Sequence, residues 1–173
     1  MPRITIDANI FKNYYEEAVL EGPCCLTKSS KPIFEDTSLR HILILDDGGI
    51  IEHEWKEPIC SEWFDAWIIE RMTNGHIELV PTNNHPDLSK SLYNLGFPKG
   101  ERDIWYIRVA KTCAERTGSG YVITEDIDFF APKQKKTAKA EGRIKLMRSK
   151  SAPIKKYLRK NEHIEILCVK DYL

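Results

Sequence analysis

The fold of this chain is decided by residues 121–130, YVITEDIDFF, in which a short apolar run ends among acidic side chains. Residues 4–11, ITIDANIF, have the same character near the amino terminus. β-branched and aromatic residues predict a buried strand in each stretch, with acids just beyond it. The carboxyl ends of parallel strands share one edge of a sheet, where ligands bind, so we expect Asp7, Asp126 and Asp128 in one crevice. Clustered carboxylates repel one another and are tolerated mainly around a divalent cation.

Length and composition predict one folded domain, residues 1–173, with its own hydrophobic core. No apolar run reaches the roughly 18 residues of a membrane span, and Asp7 interrupts the amino terminus before the apolar core of a signal peptide develops. The five cysteines are odd in number and lack the spacing of zinc ligands. We therefore expect reduced cysteines, a cytoplasmic location and no contact with a membrane.

The charges are separated along the chain. Basic and acidic residues number 26 each, yet residues 131–160 hold twelve basic residues and a single acid, a net charge of +11. A basic segment on an acidic body is typical of proteins that bind a polyanion. We predict that this insertion contacts nucleic acid; the alternative is a solvated loop that pairs with the acidic body. The residues concerned are Lys133, Lys135, Lys136, Lys139, Arg143, Lys145, Arg148, Lys150, Lys155, Lys156, Arg159 and Lys160.

The spacing of apolar residues predicts strands that alternate with helices. Such alternation favours an α/β fold, a three-layer sandwich in which helices flank a mainly parallel central sheet. The predicted strands are residues 3–6, 41–45, 77–80, 121–124 and 164–169, and the predicted helices are residues 11–20, 50–58, 61–72, 89–95 and 101–115.

A third candidate acid opens a predicted helix. Asp103 shares a helical face with Ile107 and Ala110, which places it at the amino-terminal end of the buried stripe. With Asp7 and Asp126 it predicts a site for Mg²⁺ or Mn²⁺, which take oxygen ligands from a few carboxylates and water. Each aspartate alone has a structural alternative, because Asp often caps a helix or stabilises its amino terminus.

Four stretches of the chain resemble the PIN-domain family, whose members are metal-dependent nucleases and mostly ribonucleases. They are residues 6–9 (IDAN), 100–110 (GERDIWYIRVA), 123–129 (ITEDIDF) and the closing strand 164–169 followed by Asp-Tyr-Leu. The matches come in family order and span nearly the whole chain. The resemblance implies a PIN-like fold and an endoribonuclease in which a water activated by Mg²⁺ or Mn²⁺ hydrolyses RNA.

The resemblance also implies roles for individual residues. Asp7, Asp103 and Asp126 become metal-binding catalytic acids, and Asp128 becomes a further ligand or an acid that supports one. By the same resemblance, Asn9 and Thr124 become polar residues that orient ligands or water.

The second acid of the family lies early in a helix after the second strand, where this chain has two candidates, Glu52 and Glu54. Glu54 is preferred because an aromatic residue, Trp55, follows it, as in relatives that have Glu-Tyr at this point. Glu52 is the fallback.

The chain departs from compact family members in two places. The second acid follows an Asp-Asp-Gly-Gly turn, and residues 130–163 separate the third motif from the last strand, where short members have a brief helix. This longer connection contains the whole basic segment, which we expect to guide nucleic acid toward the carboxylates by contacts to phosphate.

Two other functions are compatible with these residues. A catalytically weak interaction module would use the same fold to bind RNA or a protein through the basic segment. A phosphoryl-transfer enzyme of the haloacid-dehalogenase or receiver type also has acids at strand ends. The phosphatase, however, needs a second Asp two residues after the first, and Asn9 occupies that place.

The resemblance implies nucleic acid as the partner, with RNA favoured over DNA. Family members act as toxins held by antitoxins, in RNA processing and in defence. An antitoxin, another acidic protein partner and a homodimer therefore stay open as further partners.

Overall fold

A five-stranded parallel sheet with flanking helices forms the centre of the protein, seen in a computed structural model. The structure describes residues 1–23, 27–36, 38, 40–100, 102–137 and 139–173, with the backbone alone for residues 135–137. The strands are β1 (Arg3–Ile6), β2 (Ile42–Asp46), β3 (Ile77–Val80), β4 (Gly120–Ile123) and β5 (Ile164–Leu167). Their order in the sheet is β3-β2-β1-β4-β5, and every neighbouring pair is parallel. The predicted α/β sandwich with a parallel sheet is confirmed.

The helices follow the predicted order, with additions at three places. The helices at residues 31–35, 140–148 and 169–172 were not predicted, because they are short or bury few apolar residues. The helices are α1 (Ala8–Val19), α2 (Lys31–Glu35), α3 (Ile50–Lys56), α4 (Ser61–Thr73), α5 (Pro86–Asn94), α6 (Ile104–Thr117), α7 (Ala140–Arg148), α8 (Pro153–Tyr157) and α9 (Val169–Tyr172). A 3₁₀ turn spans Ile127–Phe129, another spans Pro132–Thr137, and a π-helical turn, Leu158–Glu162, continues α8.

The strand order reverses direction at β1. Strands β2 and β3 extend the sheet on one side of β1, and β4 and β5 extend it on the other. Because crossovers between parallel strands are right-handed, this reversal moves the connecting helices to the opposite face of the sheet. Helix α6 packs against β4 so closely that a Cβ at Gly120 would overlap the carbonyl of Ala110.

An aromatic cluster fills the core on the side of α1, α3 and α4. The ring of Phe11 stacks on Trp55, with 4.5 Å between centroids and 9° between planes, and Tyr14 stacks on Phe34 at 4.3 Å. Full burial of a side chain of this size contributes about 1.5–3 kcal/mol. The indole Nε1 of Trp55 also donates to the carbonyl of Ile6 at 3.0 Å, so α3 is held against the end of β1.

Two predictions from composition, on membrane-spanning segments and on the cysteines, can be compared with the described residues. Within those ranges, no helix has both the length and the apolar character needed to cross a membrane. Cys60, Cys113 and Cys168 are free thiols, whereas Cys24 and Cys25 lie outside the described residues.

Candidate functional site

The ends of β1 and β4 bring two predicted acids to one edge of the sheet. Ile6 lies opposite Ile123 in the parallel register, and the backbone N–H of Asp7 donates to the carbonyl of Ile123 at 3.0 Å. Asp7 and Asp126 each follow their strand at the point where the strand order reverses. Ligands of open α/β sheets bind in the crevice at such a point.

Asp7 is buried, and each of its carboxyl oxygens accepts a hydrogen bond. Its side chain is 1% exposed. Oδ1 accepts from the backbone N–H of Asn9 at 3.2 Å, and Oδ2 accepts from the hydroxyl of Thr124 at 2.7 Å. Asp7 thereby caps α1, while the side chain of Asn9 is exposed. Asp7 therefore has the capping role that we gave as the structural alternative, and it also lies at the edge of the sheet where the other acid, Asp126, is found.

Burial raises the pKa of Asp7 to about 6. The hydrogen bonds from Thr124 and Asn9 lower this pKa, and the negative charges of Asp126 and Glu54 raise it. Two carboxylates from two other elements thus act on the carboxyl of Asp7. A divalent cation placed among them would relieve this repulsion.

Thr124 links Asp7 to Asp126. Its buried hydroxyl donates to Asp7 and accepts from the backbone N–H of Asp126 at 3.0 Å. Oδ1 of Asp126 then accepts from the backbone N–H of Asp128 at 3.0 Å and so caps the 3₁₀ turn Ile127–Phe129. Asp126 is half-buried, and Asp128 is 2% exposed.

Glu54 reaches the same place from α3. Oε2 of Glu54 accepts from the hydroxyl of Tyr106 at 2.9 Å, and this hydroxyl accepts from the backbone N–H of Ala8 at 3.1 Å. Burial raises the pKa of Glu54, and the hydrogen bond from Tyr106 opposes that rise. Of the two candidate glutamates, Glu54 is the one whose charge raises the pKa of Asp7. Glu52 is half-buried in the first turn of α3.

The position of Glu54 is set by the turn that precedes α3. Asp46 ends β2, and its carboxylate accepts from the backbone N–H groups of Ile50 and Ile51, both at 2.9 Å. Gly49 takes the left-handed conformation, with φ of 74°, that the turn requires. Asp46 therefore holds the start of α3, although its sequence context resembles that of Asp7.

Asp103 lies at the amino-terminal end of α6, half-buried. Its side chain makes no capping hydrogen bond to the helix, and its carbonyl accepts from the backbone N–H of Tyr106 at 3.2 Å. Because Tyr106 contacts Glu54, the first turn of α6 lies beside the second acid. Tyr106 was not predicted from the sequence; its position three residues after Asp103 is the signal that would have found it.

The donor set at this edge consists of carboxylate oxygens, which suits Mg²⁺ or Mn²⁺. Asp7 is the acid on which the charges of both Glu54 and Asp126 act. Among the residues whose placement is described, no three His, Cys, Asp or Glu side chains are already gathered as a metal site.

The basic segment is largely helical rather than an extended loop. Arg148 pairs with Asp171 at 2.8 Å, and Arg159 pairs with Glu165 at 3.6 Å. Lys155 is 6% exposed and donates to the carbonyl of Met147 at 3.0 Å. The other basic residues with described side chains are exposed, except half-buried Arg143. The side chains of Lys135 and Lys136 lie outside the described part of the chain.

A second concavity lies at the opposite edge of the sheet. It has a volume of about 320 Å³, and its lining includes Arg40, His41, Arg71 and His76. His41 and His76 precede β2 and β3, so this concavity faces the amino ends of the strands. Ligands of open α/β sheets bind at the carboxyl ends, and we do not assign the function to it.

Comparison of the chain with protein-family models, with curated proteins and with solved structures gave no match. The function is therefore inferred from the site itself.

Proposed function

We propose that this protein is a metal-dependent nuclease that hydrolyses phosphodiester bonds of RNA at the crevice between β1 and β4. The observation that carries the proposal is the buried carboxyl of Asp7, whose pKa of about 6 is raised by burial and by the charges of Asp126 and Glu54. A cluster of like charges at a ligand-binding edge is stable in its ionised form when a divalent cation lies within it.

Each acid has a distinct support. Thr124 and the backbone of Asn9 orient the two oxygens of Asp7, and Tyr106 orients Glu54. Asp103, at the start of α6, and buried Asp128 complete the proposed set.

Asp7, Glu54, Asp103 and Asp126 would hold a Mg²⁺ or Mn²⁺ ion, which would supply an activated water and offset charge on the phosphoryl oxygens. The carboxylates hold and orient the reacting groups. The reaction needs no side-chain nucleophile, and its products carry a 5′-phosphate and a 3′-hydroxyl.

The substrate is proposed from charge and from the family resemblance. The basic segment begins five residues after Asp126 and carries a net charge of +11, so it favours a polyanion close to the acids. The resemblance to PIN-domain nucleases favours RNA over DNA.

Cleavage of labelled single-stranded and structured RNA by the purified protein tests the proposal. We expect cleavage with Mn²⁺ or Mg²⁺, none with EDTA, and a loss of about 100-fold or more in Asp7→Asn and Asp126→Asn. Asp65→Asn is the matched control, because Asp65 is an exposed residue of α4 that pairs with Lys56 at 2.7 Å and is not among the proposed acids. Cleavage that persists in EDTA, or in Asp7→Asn at the wild-type rate, would contradict the proposal.

A catalytically weak interaction module is the second candidate. It is favoured by the hydrogen bonds that satisfy Asp7 and by the lack of a preassembled metal cluster in the described ranges. Wild-type protein that binds RNA in a salt-sensitive manner but does not cleave it with either metal would establish this function instead.

A further inference from the structure

A concavity of about 370 Å³ on the basic segment has a purely cationic lining. Its described lining residues are Lys150, Lys155, Lys156, Arg159 and Lys160. They come from eleven consecutive positions that include α8 and the first three residues of the π-helical turn Leu158–Glu162. The basic residues of this stretch are thus concentrated around one depression instead of being dispersed over the surface.

The spacing of these residues places like charges next to one another. Lys156 and Lys160 are four residues apart, as are Lys155 and Arg159, and such pairs repel on a helix. Arg159 is partly neutralised by Glu165 at 3.6 Å, and Lys155 is buried against the carbonyl of Met147. Lys150 makes no ion pair with any described residue, and the same is true of Lys156 and Lys160. An anion in the depression would relieve this repulsion.

The helix that carries the concavity is hydrogen-bonded to the segment that follows Asp126. The backbone N–H of Ile154, at the start of α8, donates to the carbonyl of Phe130 at 3.0 Å, and Phe130 lies four residues beyond Asp126. The ammonium of Lys155 lies 5.8 Å from the centre of the Phe130 ring. At its other end the π-helical turn leads to His163, whose carbonyl accepts from Gly120 at the start of β4. The basic helix therefore runs along the flank of the sheet from the acidic edge to the opposite edge.

The chemistry of the concavity favours phosphates over bases. The hydroxyl of Tyr157 is engaged by Glu162 at 2.8 Å, and Glu162 is paired with Lys111 of α6 at 2.8 Å. No aromatic residue belongs to the described lining, so it offers no platform for base stacking. Lysines that contact phosphates bind irrespective of sequence.

We propose that this concavity, rather than the basic segment as a whole, binds the phosphate backbone of a nucleic-acid strand, with Lys150, Lys156 and Lys160 as its contacts. The identity of the polyanion rests on the proposed function, but the binding itself requires neither metal nor cleavage. The other exposed lysines of the segment, such as Lys133, Lys139 and Lys145, are then dispensable for binding.

Fluorescence anisotropy with a labelled single-stranded RNA of about 20 nucleotides, in EDTA and over roughly 50 to 300 mM salt, tests this assignment. The triple variant Lys150→Gln, Lys156→Gln, Lys160→Gln removes three charges from the concavity. The matched control Lys133→Gln, Lys139→Gln, Lys145→Gln removes three charges outside it. All these positions are exposed, and circular dichroism verifies that both variants are folded.

We expect the concavity variant to bind RNA at least about 10-fold more weakly than wild type near 100 mM salt. The negative slope of log K against log salt should become shallower by about 2, as for three lost phosphate contacts to a single strand. The control should bind within about 2-fold of wild type. Equal losses in both variants, or wild-type binding by the concavity variant, would overturn the proposal.

Two further arms separate the alternatives. If polyglutamate competes for the concavity as effectively as unlabelled RNA of equal charge, the proposal is overturned in favour of an acidic protein partner. A labelled DNA strand of equal length measures any preference for RNA. Binding that depends on the concavity in a protein that does not cleave contradicts the proposed nuclease function alone. Cleavage with binding independent of the concavity contradicts this inference alone.

Discussion

The hydroxyl of Thr124 donates a 2.7 Å hydrogen bond to Oδ2 of Asp7 and so joins the residue after β4 to the residue after β1. The same hydroxyl accepts from the backbone N–H of Asp126. One buried threonine therefore determines the relative positions of the two acids that the sequence pattern first indicated.

Replacement of Thr124 by valine should destabilise the protein. The change removes the donor to Asp7 and leaves the N–H of Asp126 without its acceptor, at a cost of about 1–3 kcal/mol. Urea unfolding measures this change in the free energy of unfolding. Thr124→Ser keeps the hydroxyl and serves as the control; a valine variant as stable as the serine variant would show that the hydroxyl does not hold the two strand ends together.

The stability of the metal-free protein should decrease as pH rises from about 4 to about 6. The pKa of Asp7 is raised from 3.8 to about 6 in the folded state, so the folded protein binds more protons than the unfolded chain in this range. The contribution of Asp7 to the free energy of unfolding is fully present below the unfolded pKa and is lost as pH rises through the folded pKa. The free energy of unfolding should fall by about 3 kcal/mol over this range. Asp7→Asn should make this slope clearly smaller, since Asn does not titrate, and the part that comes from the raised pKa of Glu54 should remain.

Urea unfolding of both proteins in EDTA between about pH 4 and pH 8 measures the effect. At neutral pH the Asn variant should equal or exceed the wild type in stability, because an ionised buried carboxylate is costly without a cation. Identical pH slopes for wild type and variant would contradict the assignment of the raised pKa to Asp7.

Mn²⁺ should stabilise the wild-type protein against unfolding, and Glu54 rather than Glu52 should be required. A ligand at about 100 times its Kd stabilises the folded state by about 2.7 kcal/mol. Thermal unfolding with and without Mn²⁺ should show this shift in wild type and in Glu52→Gln, and a smaller one in Glu54→Gln. The two glutamates lie on the same short helix, so each variant controls for the other. A shift lost in Glu52→Gln and kept in Glu54→Gln would identify Glu52 as the second acid.

Removal of the hydroxyl of Tyr106 should destabilise the protein and weaken Mn²⁺ binding together. Tyr106→Phe leaves the N–H of Ala8 without its acceptor, at a cost of about 1–3 kcal/mol, and releases Glu54 from its donor. Urea unfolding and a calorimetric Mn²⁺ titration measure the two effects. Tyr93→Phe is the control, because Tyr93 is a half-buried residue of α5. It should change the free energy of unfolding by less than about 0.5 kcal/mol. Unchanged Mn²⁺ affinity in Tyr106→Phe would show that this hydroxyl serves the fold alone.

Much of the sheet could be predicted because short apolar runs in this chain have few alternatives. The strands Arg3–Ile6 and Ile77–Val80 match their predicted bounds, and the other strands begin or end within about two residues of them. Helix α2 was missed because five residues with a proline are too few to show a helical period. Helix α7 was missed because it buries only Met147, which leaves no apolar stripe in its sequence.

Local sequence and tertiary structure contribute differently to the two aspartates that end β1 and β2. Asp7 follows the last residue of β1 and Asp46 is the last residue of β2; both are 1% exposed, and both accept backbone N–H groups of the next helix. The sequence by itself determined the strands, the parallel α/β fold and the acids at the strand ends, because hydrophobic period and strand-end chemistry are local properties. Only the tertiary structure decided that Asp7 meets Asp126 and Glu54 while Asp46 holds α3. The strand order reverses beside β1, and that reversal brings β4, α3 and the start of α6 together at one end of the sheet.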